Sequence, residues 1–214
     1  MSMLAKKVSD ASALLDPQAK AWDKMDREVV DLVGMPVHLQ TSRYVRTVWA
    51  DKLIGKVRAV SVRAAHDGER VAVRLEWADD NQNTEFADRQ FPDGAAVVFP
   101  TSADAALVSL GSPEAKVNSW FWRADLEKAQ NRVAGGLGTD VQADGAAIDG
   151  RGTWKDGRWT VVLSRALKAK GADNVKLNPG KPVKVGFTIW EGGNQERGDL
   201  RSYSRQWRDL TLES

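Results

Sequence analysis

The fold class is decided by residues 57–77, which read VRAVSVRAAHDGERVAVRLEW. Apolar and polar side chains alternate on both sides of Asp67-Gly68, with Val71 and Leu75 on one face of the second half. Alternation with a period of two is typical of a half-buried strand, and Asp-Gly is a favoured two-residue hairpin turn. This stretch therefore predicts a β-hairpin.

Further strands are predicted along the rest of the chain. A second Asp-Gly turn, Asp156-Gly157, predicts another hairpin, and short alternating or apolar runs occupy residues 95–99, 117–122, 182–190 and 207–212. Residues 126–150 have weak helical spacing at their start and then resemble a loop. Many short strands separated by turns predict an all-β chain, a two-sheet antiparallel β-sandwich with short helical or loop insertions.

The 214 residues, 42% of them hydrophobic, suffice for a single domain with a substantial core. We assign residues 51–214 to the β-sandwich and residues 1–50 to an N-terminal arm. Within this arm, Asp16-Pro17 is a candidate helix start, and residues 35–39 predict an extended segment. The arm is either a docking segment or a frayed terminus, and the sequence favours neither.

Charge and composition exclude several classes of function. Thirty-one basic and 29 acidic residues are mixed along the chain, which does not indicate nucleic acid or an anionic membrane as partner. The absence of cysteine excludes disulfides and thiolate metal sites. The first residues lack the apolar run of a secretory signal, and no stretch approaches a membrane span. We expect a cytoplasmic protein or one exported on a partner that carries the signal.

Few residues indicate catalysis. The two histidines, His38 and His66, lack zinc spacing, and we interpret His66 as an exposed turn residue and His38 as the better candidate ligand. Asp79-Asp80 is interpreted as a solvated turn rather than a glycosidase pair. The nine tryptophans are expected to fill the core, although they would also suit the wall of a haem pocket or, if exposed in a row, a carbohydrate-binding surface.

Three stretches carry a family resemblance. They read AVVFP (96–100) followed by LG (110–111) and VNSWFWRA (117–124); DGRW (156–159) with Arg165; and VGFTIWEGGNQERGDLRSYS (185–204). Together they resemble the haem b-binding gamma subunits of the ethylbenzene dehydrogenase family, which includes subunits of dimethylsulfide dehydrogenase, selenate reductase and chlorate reductase.

The resemblance implies a non-catalytic gamma subunit of a periplasmic molybdenum oxidoreductase. Its expected partners are a molybdopterin catalytic alpha subunit and an iron–sulfur beta subunit. One haem b, with Met and Lys as axial ligands, would relay electrons between the iron–sulfur subunit and an external carrier. The alternative is a haem-free structural or assembly subunit of the same kind of complex. The substrate of such a complex is decided in the alpha subunit.

Both ligand positions of the family are altered in this chain. Leu110 stands at the methionine position and Arg201 at the lysine position. Leucine has no donor atom, and arginine stays protonated and has no free lone pair, so neither residue ligates iron. The fallback donors are Met35, His38 and Lys184. By resemblance, the haem-pocket positions are Leu110, Trp120, Trp122, Asn194, Arg201 and Ser204.

Overall fold

The computed structural model describes residues 2–214. Within them lie one α-helix, α1 (Arg43–Val48), 3-10 turns at Ser12–Leu15, Lys20–Lys24, Val37–Leu39 and Gly192–Asn194, and fourteen strands. No helix in this part of the chain has the length and apolarity needed to cross a membrane. The strands are β1 (Ser2–Lys7), β2 (Glu28–Gly34), β3 (Ala59–His66), β4 (Arg70–Ala78), β5 (Gly94–Pro100), β6 (Gly111–Ser112), β7 (Ala115–Arg123), β8 (Gln130–Ala134), β9 (Val141–Gln142), β10 (Ile148–Lys155), β11 (Arg158–Ala166), β12 (Val183–Trp190), β13 (Ser202–Ser204) and β14 (Arg208–Leu212).

The strands form two layers that are joined through β12. The first layer has the order β10-β11-β4-β3-β1-β14, and β12 pairs with β14 through residues 183–185. The second half of β12 pairs with β5, which continues the second layer as β5-β7-β8-β9. The predicted all-β sandwich is confirmed, and its pairing is antiparallel except at β1, which pairs in parallel with β14 and β3.

The core lies between the two layers. Val73 and Val161 of the first layer pack in one cluster with Val97, Trp120 and Phe187 of the second. Burying side chains of this size removes apolar surface from water, which contributes about 1.5–3 kcal/mol for each. Six of the nine tryptophans are buried, which confirms the interpretation of most tryptophans as core residues.

Both predicted hairpins are confirmed. At the first, the Asp67 carboxylate accepts hydrogen bonds from the backbone N–H groups of Glu69 (2.9 Å) and Arg70 (2.7 Å). At the second, Asp156 and Gly157 both have positive φ, 50° and 71°. This is the geometry of a type I′ turn, which matches the twist of the paired strands. The Asp-Gly pairs therefore fix the register of β3 with β4 and of β10 with β11.

The prediction for residues 126–150 is wrong, because this segment contains β8, β9 and the start of β10. The alternation of β8 is hidden in the sequence because the inward residue next to Val133 is polar. Asn131 is buried, and its amide oxygen accepts a hydrogen bond from the side chain of Asn118 (2.8 Å). A buried strand position occupied by a satisfied amide does not show as apolar periodicity.

The first fifty residues contribute strands to both layers. β1 lies between β3 and β14, and β2 pairs with β3 and then with β13. The expected extended segment at 35–39 contains the 3-10 turn Val37–Leu39. A docking role for residues 1–50 stays a prediction.

His66 is not exposed, so the interpretation of this residue is wrong. It is the last residue of β3 and is 0% exposed, because β1 covers it on one side through Lys7 and β4 pairs with it on the other through Val71. Neither ring nitrogen makes a well-aligned hydrogen bond with a described residue, although the Glu213 backbone lies close enough to the ring to act on its pKa.

We expect His66 to titrate below the ordinary histidine value of 6.5. Burial lowers its pKa and Lys7 adds to this, whereas the Glu213 backbone and the charges of Asp67 and Glu213 oppose it. Because burial disfavours the charged imidazolium, the folded state binds a proton at His66 less readily than the unfolded state does. The free energy of unfolding therefore decreases as the pH falls below 6.5, where the unfolded state becomes protonated. An NMR titration of the full chain checks this, with the signal assigned by its loss in His66→Gln. A midpoint at or above 6.5 would contradict the expectation.

Candidate functional site

A cavity of about 470 Å³ lies on the outer face of the second layer. Its floor consists of side chains from β5, β7 and β12, which include Ala96, Val98, Phe121, Thr188 and Trp190. Phe121 and Trp190 meet edge to face, with ring centroids 5.4 Å apart. The volume is in the range of small-molecule and cofactor sites.

Loops with charged residues form the rim of the cavity. Arg132 on β8 pairs with Asp140 (2.5 Å), and the guanidinium of Arg197 lies 4.2 Å from the ring centroid of Phe91. Burial raises the pKa of Asp140, while Arg132 opposes this shift. The cavity thus combines an apolar floor with a rim on which Arg132 is paired with Asp140 and Arg197 packs on an aromatic ring.

Of the two family ligand positions, Leu110 lies at this cavity, whereas Arg201 is fully buried beside Asp199 and does not line it. Leu110 lines it and adopts a left-handed backbone conformation with φ of 54°. The Arg201 guanidinium donates to the Val108 carbonyl oxygen (3.1 Å), two residues before Leu110, and to the Asp199 carboxylate (3.1 Å). The resemblance therefore identifies two positions that lie together in space, although they are far apart in sequence.

Trp120 and Trp122, two of the haem-pocket positions implied by the resemblance, do not line this cavity. Both lie in the core between the layers, where Trp120 packs on Phe99 at 4.7 Å and Trp122 packs on Trp159 at 5.0 Å. Successive side chains of a strand point to opposite faces, so Phe121 is the residue of this trio that reaches the cavity.

Asn194 and Ser204 support loops instead of lining the cavity. The Asn194 side chain donates to the Leu53 carbonyl oxygen (3.0 Å) and to the Glu196 carboxylate (2.9 Å). The Ser204 hydroxyl accepts a hydrogen bond from the backbone N–H of Phe187 (2.9 Å). The sequence motif around them therefore fixes the loop between β12 and β13, whose residues 196–199 form part of the rim.

Four further residues line the cavity that the sequence patterns did not identify: Phe121, Thr188, Arg132 and Arg197. Alternation along β7 and β12 was the available signal, since Phe121 and Thr188 occupy positions that alternate with core residues. Which face of a strand covers the core, however, depends on where the second layer lies. Buried and unpartnered, the Thr188 hydroxyl offers a polar group on the cavity floor.

Comparison with known proteins identifies the family. The family model described as ethylbenzene dehydrogenase matches residues 19–144 and 138–202. The chain belongs to the ethylbenzene dehydrogenase family. It is 36% identical to the chlorate reductase subunit gamma of Ideonella dechloratans, with 91% of this chain and 78% of that protein covered. It is 28% identical to the dimethylsulfide dehydrogenase subunit gamma of Rhodovulum sulfidophilum, with 90% and 73% covered.

Another relative comes from an archaeon. A protein of Haloferax mediterranei named as a respiratory nitrate reductase heme subunit is 33% identical to this chain. The alignment covers 89% of this chain and 66% of that protein, so the chain spans slightly less than two thirds of this relative. The predicted family membership is confirmed by these similarities.

Solved structures of other proteins share the fold. A family 9 carbohydrate-binding module of Caldicellulosiruptor kristjanssonii, in complex with glucose, superimposes with a TM-score of 0.55. The alignment covers 100% of this chain and 96% of that one, at 9% identity. At this identity the likeness shows the β-sandwich fold and nothing about ligands.

The cavity lining does not fit a six-coordinate haem b. Among the described residues that line it, none is Met, His, Lys, Cys or Tyr. Its carboxylates are engaged: Asp140 by Arg132, Asp199 by Arg201, and Glu196 by backbone N–H groups. Axial ligation of haem iron needs a free lone pair on sulfur, nitrogen or phenolate oxygen, so the lining supplies shape without ligands.

The fallback donors lie elsewhere. Met35 is 1% exposed and packs in an apolar cluster beneath Tyr203, and His38 is exposed in a 3-10 turn. Lys184 is near the opposite end of β12 from Trp190 and pairs with Asp209 (2.8 Å). None of the three lines the cavity.

Proposed function

We propose that this chain is the gamma subunit of a heterotrimeric molybdenum oxidoreductase and that it supports this complex without haem b. Its partners would be a molybdopterin alpha subunit and an iron–sulfur beta subunit. Family membership and the similarity to two gamma subunits support the role in a complex. As part of the proposal, the chain reaches the periplasm folded onto a partner that carries the export signal.

The observation that carries the haem-free role is the environment of Arg201. Its side chain is 0% exposed and already donates to Asp199 and to the Val108 carbonyl oxygen. Burial lowers the pKa of Arg201, and Asp199 opposes this, but a guanidinium remains protonated at neutral pH. The resemblance implies a neutral lysine as an axial ligand at this position. This chain has a protonated, hydrogen-bonded guanidinium there instead.

Leu110 would remove the other ligand with little change in side-chain volume. Leucine and methionine have similar volumes, so the exchange is tolerated in packed surroundings. The left-handed backbone at Leu110 and Gly111 is retained by hydrogen bonds from their N–H groups to Leu107 (3.2 Å) and Ala106 (2.8 Å). The cavity thus keeps the form of a pocket while both iron-binding groups are lost.

The test is a pyridine haemochrome assay, with oxidised and reduced absorption spectra, on the chain purified with its native partners from haem-supplied cells. We expect no stoichiometric b-type spectrum from the unaltered complex. The double variant Leu110→Met with Arg201→Lys restores a thioether and an amine at the two family ligand positions, and we expect it to gain a six-coordinate haem spectrum.

The matched control is Leu53→Met with Arg205→Lys, which makes the same two exchanges at exposed positions. It should remain without a haem spectrum. A stoichiometric six-coordinate b-type spectrum from the unaltered complex would overturn the haem-free role and establish the electron-relay alternative, with Met35, His38 and the lysines as the ligands to test. A chain purified from its source without molybdopterin and iron–sulfur partners would overturn the subunit role itself.

A further inference from the structure

Three buried carboxylates meet at one end of the sandwich, outside the cavity described above. Asp79 directly follows β4, Asp93 directly precedes β5 and Glu191 directly follows β12. One oxygen from each lies within 4.8 Å of the others, and the three residues are only 5%, 0% and 6% exposed. The interpretation of Asp79 as part of a solvated turn is wrong, although Asp80 beside it is exposed.

A neutral oxygen also points into this cluster. Among residues 2–214 the Asn83 side-chain oxygen has no hydrogen-bond partner, although Asn83 is only 7% exposed. A methyl group placed on the α-carbon of Gly193 would lie 2.8 Å from Glu191 Oε1 and 3.1 Å from Asn83 Oδ1. The two oxygens therefore face the same small volume, which the missing side chain of Gly193 leaves open. Asp79 Oδ2 is likewise buried without a partner.

The described residues place little positive charge near these oxygens: among the main influences on the three carboxylates, the cation is Lys56, which lowers the pKa of Glu191. Three hydrogen bonds orient Asp93, from the N–H groups of Gly192 and Asn83 and from Trp159 Nε1, each of 2.8 Å. These bonds leave lone pairs on the carboxylate. No cation is among the main influences on Asp79, and burial together with Asp93 raises its pKa to about 7. Burial likewise raises the pKa values of Asp93 and Glu191.

We propose that Asp79, Asp93, Glu191 and the amide oxygen of Asn83 form a calcium site that clamps the two layers of the sandwich together. Calcium takes oxygen ligands at about 2.3–2.6 Å, so two oxygens on one ion lie no more than about 5 Å apart, and the three carboxylate oxygens are within this limit at 4.8 Å or less. The ion neutralises most of the carboxylate charge, and the cluster has no imidazole or thiolate that would favour a transition metal. Bidentate carboxylates, backbone carbonyls or water complete the coordination.

The position of the site links it to the cavity. Asp79 belongs to the first layer, whereas Asp93 and Glu191 flank paired ends of β5 and β12 in the second. Phe91 and Pro92, next to Asp93, line the cavity, and so does Glu196, which follows Glu191 in the same loop. A bound ion therefore holds both layers and the rim of the cavity in one arrangement. This inference holds with or without haem.

Terbium luminescence of the full chain tests the proposal, because Trp159 touches Asp93 and can transfer excitation energy to a lanthanide in the site. We expect the metal-stripped protein to give sensitised terbium emission that saturates at a single ion per chain. Ca²⁺ should displace the terbium more readily than Mg²⁺ does, because Mg²⁺ loses its bound water reluctantly. Calcium should also raise the melting temperature relative to protein in EGTA, because only the folded chain binds the ion.

The calcium affinities of Asp79→Asn and of its matched control Asp80→Asn show whether Asp79 is a ligand. Changes to groups that merely support a metal ligand cost about 10- to 100-fold in affinity, so Asp79→Asn should weaken calcium binding by about 100-fold or more. Asp80→Asn should bind as the unaltered chain does. If Asp79→Asn does not fold, Glu191→Gln replaces it. Absence of calcium binding by the unaltered chain, equal binding of Mg²⁺, or equal affinity in the two aspartate variants would overturn the proposal.

Discussion

Replacing Glu196 with alanine is expected to lower the free energy of unfolding by about 4 kcal/mol or more, an unusually large effect for one side chain. Glu196 is 0% exposed. Its carboxylate accepts hydrogen bonds from the backbone N–H groups of Gly55 (2.8 Å), Lys56 (2.9 Å) and Glu191 (3.1 Å), and from Asn194 Nδ2 (2.9 Å). Each buried donor left without a partner costs about 1–3 kcal/mol.

Glu196→Gln distinguishes the contribution of the hydrogen bonds to stability from that of side-chain packing. The amide has the shape of the carboxylate but presents an NH₂ group to one side, where backbone donors already point. We expect a loss of about 2 kcal/mol, intermediate between the unaltered chain and alanine. Urea unfolding of the three proteins measures the differences. Glu127→Ala, an exchange at an exposed glutamate, is the control and should stay within about 0.5 kcal/mol.

The contacts of Glu196 give a structural meaning to residues 190–197 (WEGGNQER), a motif within the third family stretch. This carboxylate connects residues 55 and 56 to the loop after β12. One side chain therefore holds together two segments that are distant in sequence. If Glu196→Ala were as stable as Glu127→Ala, these hydrogen bonds would be energetically irrelevant, and the motif would need an explanation in binding instead. The observed hydrogen bonds indicate that this motif stabilises the loop after β12, which is a structural role.

The hairpins were predictable from the sequence because their signals are local. A two-residue period and an Asp-Gly pair lie within a few residues of each other, and they determine both the strands and their register. The strand β8 was not predictable in this way, since its buried Asn131 is satisfied by Asn118 from another strand. A polar residue reads as exposed until the partner that satisfies it is known.

The candidate sites depend on which strands lie together, and this is not a local property. The alternation of β7 separates Phe121 from Trp120 and Trp122, but the sequence does not say which of the two faces covers the core. The carboxylates of Asp79, Asp93 and Glu191 come from ends of three strands that are distant in sequence. By contrast, the resemblance singled out Leu110 and Arg201, which the fold brings near each other through the hydrogen bond from Arg201 to Val108, because it carries the spacing of a known fold.

Gly192→Ala is expected to lower the free energy of unfolding by more than about 5 kcal/mol, so that little folded protein remains. A β-carbon at this position would lie 1.6 Å from the backbone carbonyl oxygen of Phe91, and backbone cannot move aside as a flexible side chain does. The same glycine accepts the N–H of Phe91 on its carbonyl oxygen (3.1 Å) and donates its own N–H to Asp93. Separation of the two segments would therefore break these bonds as well.

Gly68→Ala is the informative comparison, because it isolates backbone strain from steric conflict. Gly68 has φ of 91° and no atom within 4 Å of an added β-carbon, so alanine there should cost only about 1–2 kcal/mol. Soluble yield and urea unfolding of the two variants separate the effects. Similar midpoints for both would show that the loop after β12 can move away from residues 91–93, and such freedom would be incompatible with a rigid cavity rim. A much larger loss for Gly192→Ala would show that this glycine is required because two backbones touch.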